Sequence, residues 1–364
     1  MKEKKDGGNS NNITQTRSCL EPSFLSEVAP YYLPSYVFVV SHIVYQISGN
    51  LLIPIWLAYM LNMPNCWQIW NFTKQAAETN LCKESERVFT RDKRFLGPLY
   101  VFVLNDCLTW LWCLCLVADV NPLAETDFAF LFERKHGNTL GSWFVFTFVW
   151  GYMAGVNGLA GHELIHKKDP VNKMLGMFTY SKILYSHFLL EHSNGHHRNI
   201  ATPEDSATAV KNEDFYTFAV RSAIGGQRNT YDREVARIES EYKEFNDGAN
   251  AGLFTYIVQN RMTWFFALHL ATLATIYRLL GMRAVFFQLG YSLVGIFFIE
   301  LINYVEHYGL QRKKDERGIY EPITEQHSWN STSSHLLFKI QRHSEHHMHV
   351  YKPYQILRKM DNAP

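Results

Sequence analysis

The sequence predicts an all-α fold, a polytopic transmembrane helical bundle with its chemistry carried by histidines at one membrane face. Three observations support this. Long apolar runs recur near 35–61, 96–119, 141–160, 253–280 and 284–303, and a spanning helix needs about 20 such residues. Aromatic residues make up 15% of the 364-residue chain, as suits a protein with Trp and Tyr at membrane interfaces. The histidines concentrate at the edges of apolar runs rather than in low-complexity loops. A mean hydropathy of −0.17 is compatible with this, because the polar stretches 1–30 and 191–250 dilute the average.

Residues 1–30 are rich in Lys, Asn and Ser and read as a disordered tail, leaving 31–364 as one membrane-embedded domain. The polar start and the length of the first apolar run argue against a signal peptide. That run, 35–61, contains Gly49-Asn50 and Pro54. As a helix it measures about 40 Å, enough for one span but not two, so it is either one span or a hairpin that dips into the membrane. Runs 96–119 and 141–160 go out and return, as do 253–280 and 284–303, which part at Gly281. The weaker run 174–190 carries Lys182 and His187. Between 191 and 250 the chain is polar and reads as an ordered loop domain with a helix near 231–246. No internal repeat is visible.

Net charge is +1 and no arm of one sign is present, so nothing points to nucleic acid. The six cysteines do not read as a disulfide framework. Cys107, Cys113 and Cys115 share one apolar stretch and read as small core residues, while Cys19, Cys66 and Cys82 are scattered. No paired CxxC units occur, which disfavours a zinc ribbon or a built-in rubredoxin.

Four segments hold nine of the 16 histidines. His162 and His166 are four apart, so both rings leave one helix face. His192 and His196 repeat that spacing with His197 beside them. His307 follows in Asn303–Gly309, and His343, His346 and His347 form the last cluster. Residues three and four apart are neighbours on a helix, close enough to share an ion, and neutral imidazole suits Fe, Zn and Cu. One site of four to six ligands leaves histidines unused, so two metals is the natural count. The first box, His162-Glu163-Leu164-Ile165-His166, has the two-histidine spacing of zinc proteases. A zinc protease needs three protein ligands, and the further seven histidines here argue against it. Of the rest, His187 and His327 lie nearest the clusters in sequence. His42, His136, His269, His335 and His349 read as ordinary hydrogen-bonded histidines.

These motifs resemble the membrane alkane 1-monooxygenases (alkane omega-hydroxylases), within the membrane fatty-acid desaturase and hydroxylase superfamily. The resemblance rests on Gly161–Lys167, Glu191–His197, Asn303–Gly309 and Gln341–His347. Asn157-Gly158, Arg198, Ala201-Thr202-Pro203, His327–Ser331 and Tyr354-Gln355 extend it. It runs from about 141 to 357. Residues 1–90 are shorter and only loosely similar, and the chain stops at Pro364, where family members usually continue. The resemblance implies two non-haem irons with His162, His166, His192, His196, His197, His307, His343, His346 and His347 as ligands. It also implies O2 as oxidant, an alkane or other apolar chain as substrate, and electrons from a separate rubredoxin-type carrier fed by an NAD(P)H-dependent reductase. No catalytic residue beyond the ligands is implied. Glu163, Glu191, Glu306, Glu345 and Asp205 are candidates to accept the ligands' other ring N–H. A desaturase or a hydroxylase of acyl or aromatic substrates is the rival enzyme. A histidine-rich metal transporter is the non-enzymatic rival.

One dinuclear site forces the boxes to a common face. Box one closes run 141–160 and box two closes run 174–190. Were both to span, the boxes would oppose each other, so 174–190 should be a short or re-entrant helix, tolerated at depth only when buried in protein. Segments 62–95, 161–252 and 304–364 then share the box face and carry 6, 11 and 9 Lys and Arg, against 2 in 120–140. The positive-inside rule makes the box face cytosolic, which leaves the sequon Asn71-Phe72-Thr73 unused.

Overall fold

The computed structural model describes residues 23–51, 80–246, 249–331 and 337–364. Among these the chain is helical, with one isolated antiparallel bridge, Lys314 to Tyr320, and no strand. The longer helices are α1 (Leu33–Ser48), α2 (Lys83–Arg91), α3 (Leu96–Ala118), α4 (Leu140–Ile165) and α5 (Pro170–Ser181). A short α6 (Phe188–Glu191) precedes α7 (Phe215–Phe245), α8 (Leu253–Gln259), α9 (Arg261–His307) and α10 (His343–Met348).

Three helices are long and apolar enough to cross a membrane: Lys93–Ala118, Leu140–Ile165 and Arg261–His307. On α3, Leu104, Leu108 and Leu111 form an exposed stripe, each at least half exposed. An apolar stripe of this kind marks a surface for lipid or for a protein partner. The 47 residues of α9 would measure about 70 Å if straight, over twice the hydrocarbon thickness of about 30 Å. Gly281 breaks the helix with φ 80 and ψ 177, a conformation that favours glycine. The first half, α9a (261–280), starts where Arg261 bonds Glu234 of α7. Beyond the break, Arg283 bonds Asp119 at the far end of α3. The second half, α9b (282–307), returns to end at His307. The split read at Gly281 is therefore present.

Local signals set the ends. Thr139 caps α4 by accepting from the Ser142 N–H, and Asp169 caps α5 ahead of Pro170. Such caps satisfy donors that the first helical turn leaves open. α4 and α9b pack so closely that a Cβ on Gly155 would lie 2.8 Å from the Gly295 carbonyl oxygen. Phe146, Val149, Trp150, Ala284 and Tyr291 fill the core around that crossing.

Run 174–190 does not form a span. α5 runs back beside α4, its Gly176 so near that an added Cβ would meet the Gly161 carbonyl oxygen at 2.7 Å. The chain then turns at 182–187, with Leu184 at φ 57, and returns through α6. This hairpin returns the second box to the end of α4 that carries the first, as a common box face requires.

Three sequence readings need amendment. Of the two readings of the first apolar run, the uninterrupted helical span gives way: α1 stops at Ser48, capped by Gly49 at φ 63, at the Gly49-Asn50 break of the hairpin reading. Residues 52–79, including the sequon, lie outside the described residues. The helix read at 231–246 begins 16 residues earlier, at Phe215, where Asp214 accepts from the Tyr216 and Thr217 N–H groups. Cys82 is disulfide-bonded. Cys107, Cys113 and Cys115 are free, and Cys19 and Cys66 lie outside the described residues. Spacing alone carried no sign of this cross-link. Most of the stretch read as a tail also lies outside, although Phe24–Tyr32 forms helical turns.

Candidate metal centre

Four elements converge at the box end of the bundle. α4 delivers His162 within its last turn and His166 at its C-cap. The hairpin's returning limb delivers His192 and His196 in a π-turn and His197 just after it. α9b ends on His307, and α10 carries His343, His346 and His347. All nine are at most 7% exposed.

Their ring nitrogens fall into two groups that could each hold a metal ion: His162, His166, His192, His197 and His346, and His196, His307, His343 and His347. Within the first, His197 Nε2 lies 3.0 Å from His192 Nε2 and 3.2 Å from both His166 Nε2 and His346 Nε2. Within the second, His343 Nε2 lies 3.1 Å from His307 Nε2 and 2.9 Å from His347 Nε2. A neutral imidazole has one N–H, so clustered Nε2 atoms cannot all be satisfied by one another. The nitrogens of an octahedral site with bonds of about 2.1 Å would be about 3.0 Å apart, close to these separations. His162 Nε2 and His196 Nε2 are buried without a hydrogen-bond partner. Orphaned buried nitrogens are costly, and clustered imidazole nitrogens at these separations fit two metal ions.

The electrostatics leave lone pairs available. Burial, reinforced by neighbouring histidines, pushes His166, His192, His197, His343, His346 and His347 well below the ordinary histidine range. They are neutral at physiological pH, as a metal ligand must be. His196 differs. Burial lowers its pKa, but the charge and hydrogen bond of Asp205 outweigh this and raise it. Asp205 Oδ2 lies 2.9 Å from His196 Nδ1 and accepts from the Thr208 hydroxyl at 2.6 Å. The bond fixes the ring tautomer and leaves Nε2 facing the cluster.

The four glutamates read as partners of ring N–H groups do something else. Glu163 accepts from the Lys167 ammonium and from the Tyr354 N–H. Glu345 accepts from Lys352 and from the Arg358 N–H. Glu163 thereby ties the first box to the C-terminal segment at Tyr354, and Glu345 ties the last box to it at Lys352 and Arg358. Glu191 faces Arg233 at 4.0 Å, and burial together with the Asp205 charge pushes it up to about 7. Glu306 lies 3.3 Å from His343 Nε2, the nitrogen that faces the cluster. Of the five acids, Asp205 makes the carboxylate–imidazole bond. Nothing in its spacing distinguished it from the glutamates. His187 and His327 join neither group: His187 packs on Tyr185, and His327 closes a capping box with Thr324.

Two cavities lead away from the cluster. A small one of about 30 Å³ is lined by His162, His192, His343 and Glu306 among apolar residues. A larger one of about 510 Å³ lies between α4 and α9b, lined by Phe148, Tyr152, Val156, Phe298, Leu301 and Val305. They share Leu159, Ile302, Glu306 and Ile340, so the larger, mostly apolar space lies beside the one that the histidines line.

The comparisons with known proteins agree with this geometry. Residues 140–363 match the fatty acid desaturase family. The chain is 35% identical over 215 residues to alkane 1-monooxygenase 1 of Pseudomonas aeruginosa, covering 58% of this chain and 54% of that protein. It is 34% identical over 207 residues to alkane 1-monooxygenase 2 of Alcanivorax borkumensis, covering 56% and 52%. The hydroxylase component of a Pseudomonas putida xylene/toluene monooxygenase is 25% identical over 217 residues, covering 58% and 55%. The chain spans about half the length of the curated relatives it matches. The family match covers every histidine of both groups and more than half of the sequence, and the chain belongs to the fatty acid desaturase family.

Proposed function

We propose that this protein is an integral-membrane, non-haem diiron monooxygenase that hydroxylates the terminal carbon of alkanes or similar apolar chains. The observation that carries the reading is the convergence of nine buried histidines into groups of five and four. They are His162, His166, His192, His197 and His346 for one iron, and His196, His307, His343 and His347 for the other. Named alkane 1-monooxygenases among the relatives favour iron, O2 and this substrate class. The same reading takes electrons from a rubredoxin-type carrier fed by an NAD(P)H-dependent reductase, and sets the box face toward the cytosol.

When bound, the two irons would supply reductive activation of O2. One oxygen atom enters a C–H bond and the other leaves as water, with two electrons and two protons supplied from outside. The protein's own residues orient and enclose. The cavity between α4 and α9b accepts an apolar chain from the lipid side. Phe298 packs against Phe148 and Tyr152, with ring centroids 5.9 and 4.5 Å apart, and all three line it. A neck at the shared side chains Leu159, Ile302 and Ile340, beside Glu306, would admit one end of the chain toward His162 and His343. Asp205 holds His196 in the tautomer that presents Nε2. Burial of all nine rings excludes bulk water.

A second reading, hydroxylation of aromatic methyl groups or desaturation of acyl chains, is favoured by the xylene/toluene relative and the family match. Product analysis with an alkane, an acyl lipid and xylene separates the two. The site itself is tested by His343→Ala. The expected outcome is loss of bound iron and of medium-chain alkane hydroxylation. Survival of both would refute the assignment.

A further inference from the structure

Lys182 is fully buried at the tip of the re-entrant hairpin. Its Nζ lies 3.0 Å from Asp106 Oδ1, with side-chain exposures of 0% and 1%. Asp106 sits midway along α3, so this pair lies near the centre of the membrane-crossing segment. Charged groups at that depth are costly and are kept where they do something.

The pair belongs to a polar cluster that joins three elements. Lys182 Nζ also donates to the Tyr291 hydroxyl at 3.1 Å and lies over that ring, 5.2 Å from its centroid. Gln288, fully buried, donates from Nε2 to the Lys182 carbonyl oxygen at 2.7 Å. Its Oε1 accepts from Trp110 Nε1 at 2.7 Å. α3 thus contributes Asp106 and Trp110, α9b contributes Gln288 and Tyr291, and both grip one residue of the hairpin. Backbone that is not helical at membrane depth needs such partners. Beyond Lys182 the turn has two further polar contacts, from the Tyr185 hydroxyl to Glu300 Oε1 at 2.7 Å and between Ser186 Oγ and His269 Nε2 at 2.8 Å, but Lys182 and Asp106 form its ion pair.

We propose that Lys182 and Asp106 are positioning residues: their ion pair is a depth stop for the hairpin, setting the height at which His192, His196 and His197 meet the other six histidines. The hairpin's inbound limb, α5, carries no ligand, while its outbound limb carries three, and Lys182 stands at the turn between them. A buried ion pair adds little net stability over a well-packed apolar pair. What it adds here is direction, since a hydrogen-bonded charge pair has one geometry. The inference rests on the proposed metal site, and its test is read by metal retention rather than by turnover.

The full-length protein in nanodiscs is loaded with Fe²⁺, and iron loss to a chelator is timed for the parent, K182R, K182M and the double variant K182M/D106L. Thermal unfolding is measured alongside. K182R keeps the pair and should retain iron within about twofold of the parent. K182M, which leaves Asp106 charged, should lose iron at least tenfold faster. The double variant removes both charges and should unfold near the parent's temperature, yet still lose iron at least tenfold faster. Parent-like retention in the double variant would overturn the depth stop and leave the pair as compensated charge. Should that variant fail to fold, K182Q/D106N is read by the same two outcomes. A parent that binds no iron would instead overturn the proposed metal site.

Discussion

Replacing Asp205 by Asn tests how the histidines are prepared for metal. The carboxylate lies 2.9 Å from His196 Nδ1 and is itself held by the Thr208 hydroxyl at 2.6 Å and the Ala207 N–H at 3.1 Å. The Thr208 hydroxyl donates to Oδ2, the oxygen that also faces His196, and the Ala207 N–H donates to Oδ1. An asparagine has one oxygen for these two places. With the oxygen at the Oδ1 position its NH2 faces His196 Nδ1, and the ring must carry its proton on Nε2, the atom that faces the other group members. With the oxygen at the Oδ2 position the Ala207 N–H loses its acceptor, and the charge that favours the Nδ1–H tautomer is gone. Partners of this kind are worth 10–100-fold in metal affinity, or about 1.4–2.7 kcal/mol. Asn is nearly isosteric with Asp, so the fold should be retained. The assay is chelator competition for Fe²⁺ on purified protein, with thermal unfolding of the metal-free form as control. The expected result is a 10–100-fold loss of affinity at one of two sites and little change in unfolding temperature. Unchanged affinity at both sites would refute the role of Asp205.

Two further outcomes rest on the cavities and on a buried ion-pair network. Leu159→Trp fills the neck shared by the two cavities, so alkane turnover should fall at least tenfold while iron content stays at the parent's value; a parallel loss of iron would contradict the access route. Glu234 joins α7 to the start of α9 through Arg261 and also accepts from Arg237 of its own helix. Burial raises its pKa, but hydrogen bonds from these arginines outweigh that and depress it to about 2 from an ordinary 4.5. A depressed carboxyl stabilises the fold above its unfolded value and loses that contribution as pH falls. Glu234→Gln should therefore cost about 1–2 kcal/mol at pH 7, at the low end for charged hydrogen bonds because the arginines are partly solvated. Unfolding measured against pH should show the variant and parent converging between about 4.5 and 2.

Much of the site was legible because its chemistry is local. The i, i+4 spacing of His162 and His166 and of His192 and His196 projects rings from one helix face, and no tertiary information is needed to see it. The demand that all boxes share a face then predicted the hairpin at 174–190. What stayed hidden was set by tertiary contact. How nine histidines divide into five and four depends on which helix ends meet: His346 joins the group of His162, while its neighbour His347 joins that of His307. The glutamates looked like partners of ring N–H groups because they adjoin ligands in sequence. Glu163 and Glu345 instead point toward Lys167 and Lys352, whereas Asp205, nine residues from His196, reaches the ring through a loop. Helix α7 was half missed because Gly225-Gly226 weakens its pattern. Those glycines permit close approach to Ser206 and Glu191, a tertiary reason that local propensity does not express.

The proposed chemistry depends on nine histidines holding two irons. Elemental analysis of the purified membrane protein, normalised to chain concentration, is the decisive measurement. The parent should carry tightly held iron near two per chain. Iron at one per chain or less after full reconstitution, or readily exchanged zinc in its place, would contradict it.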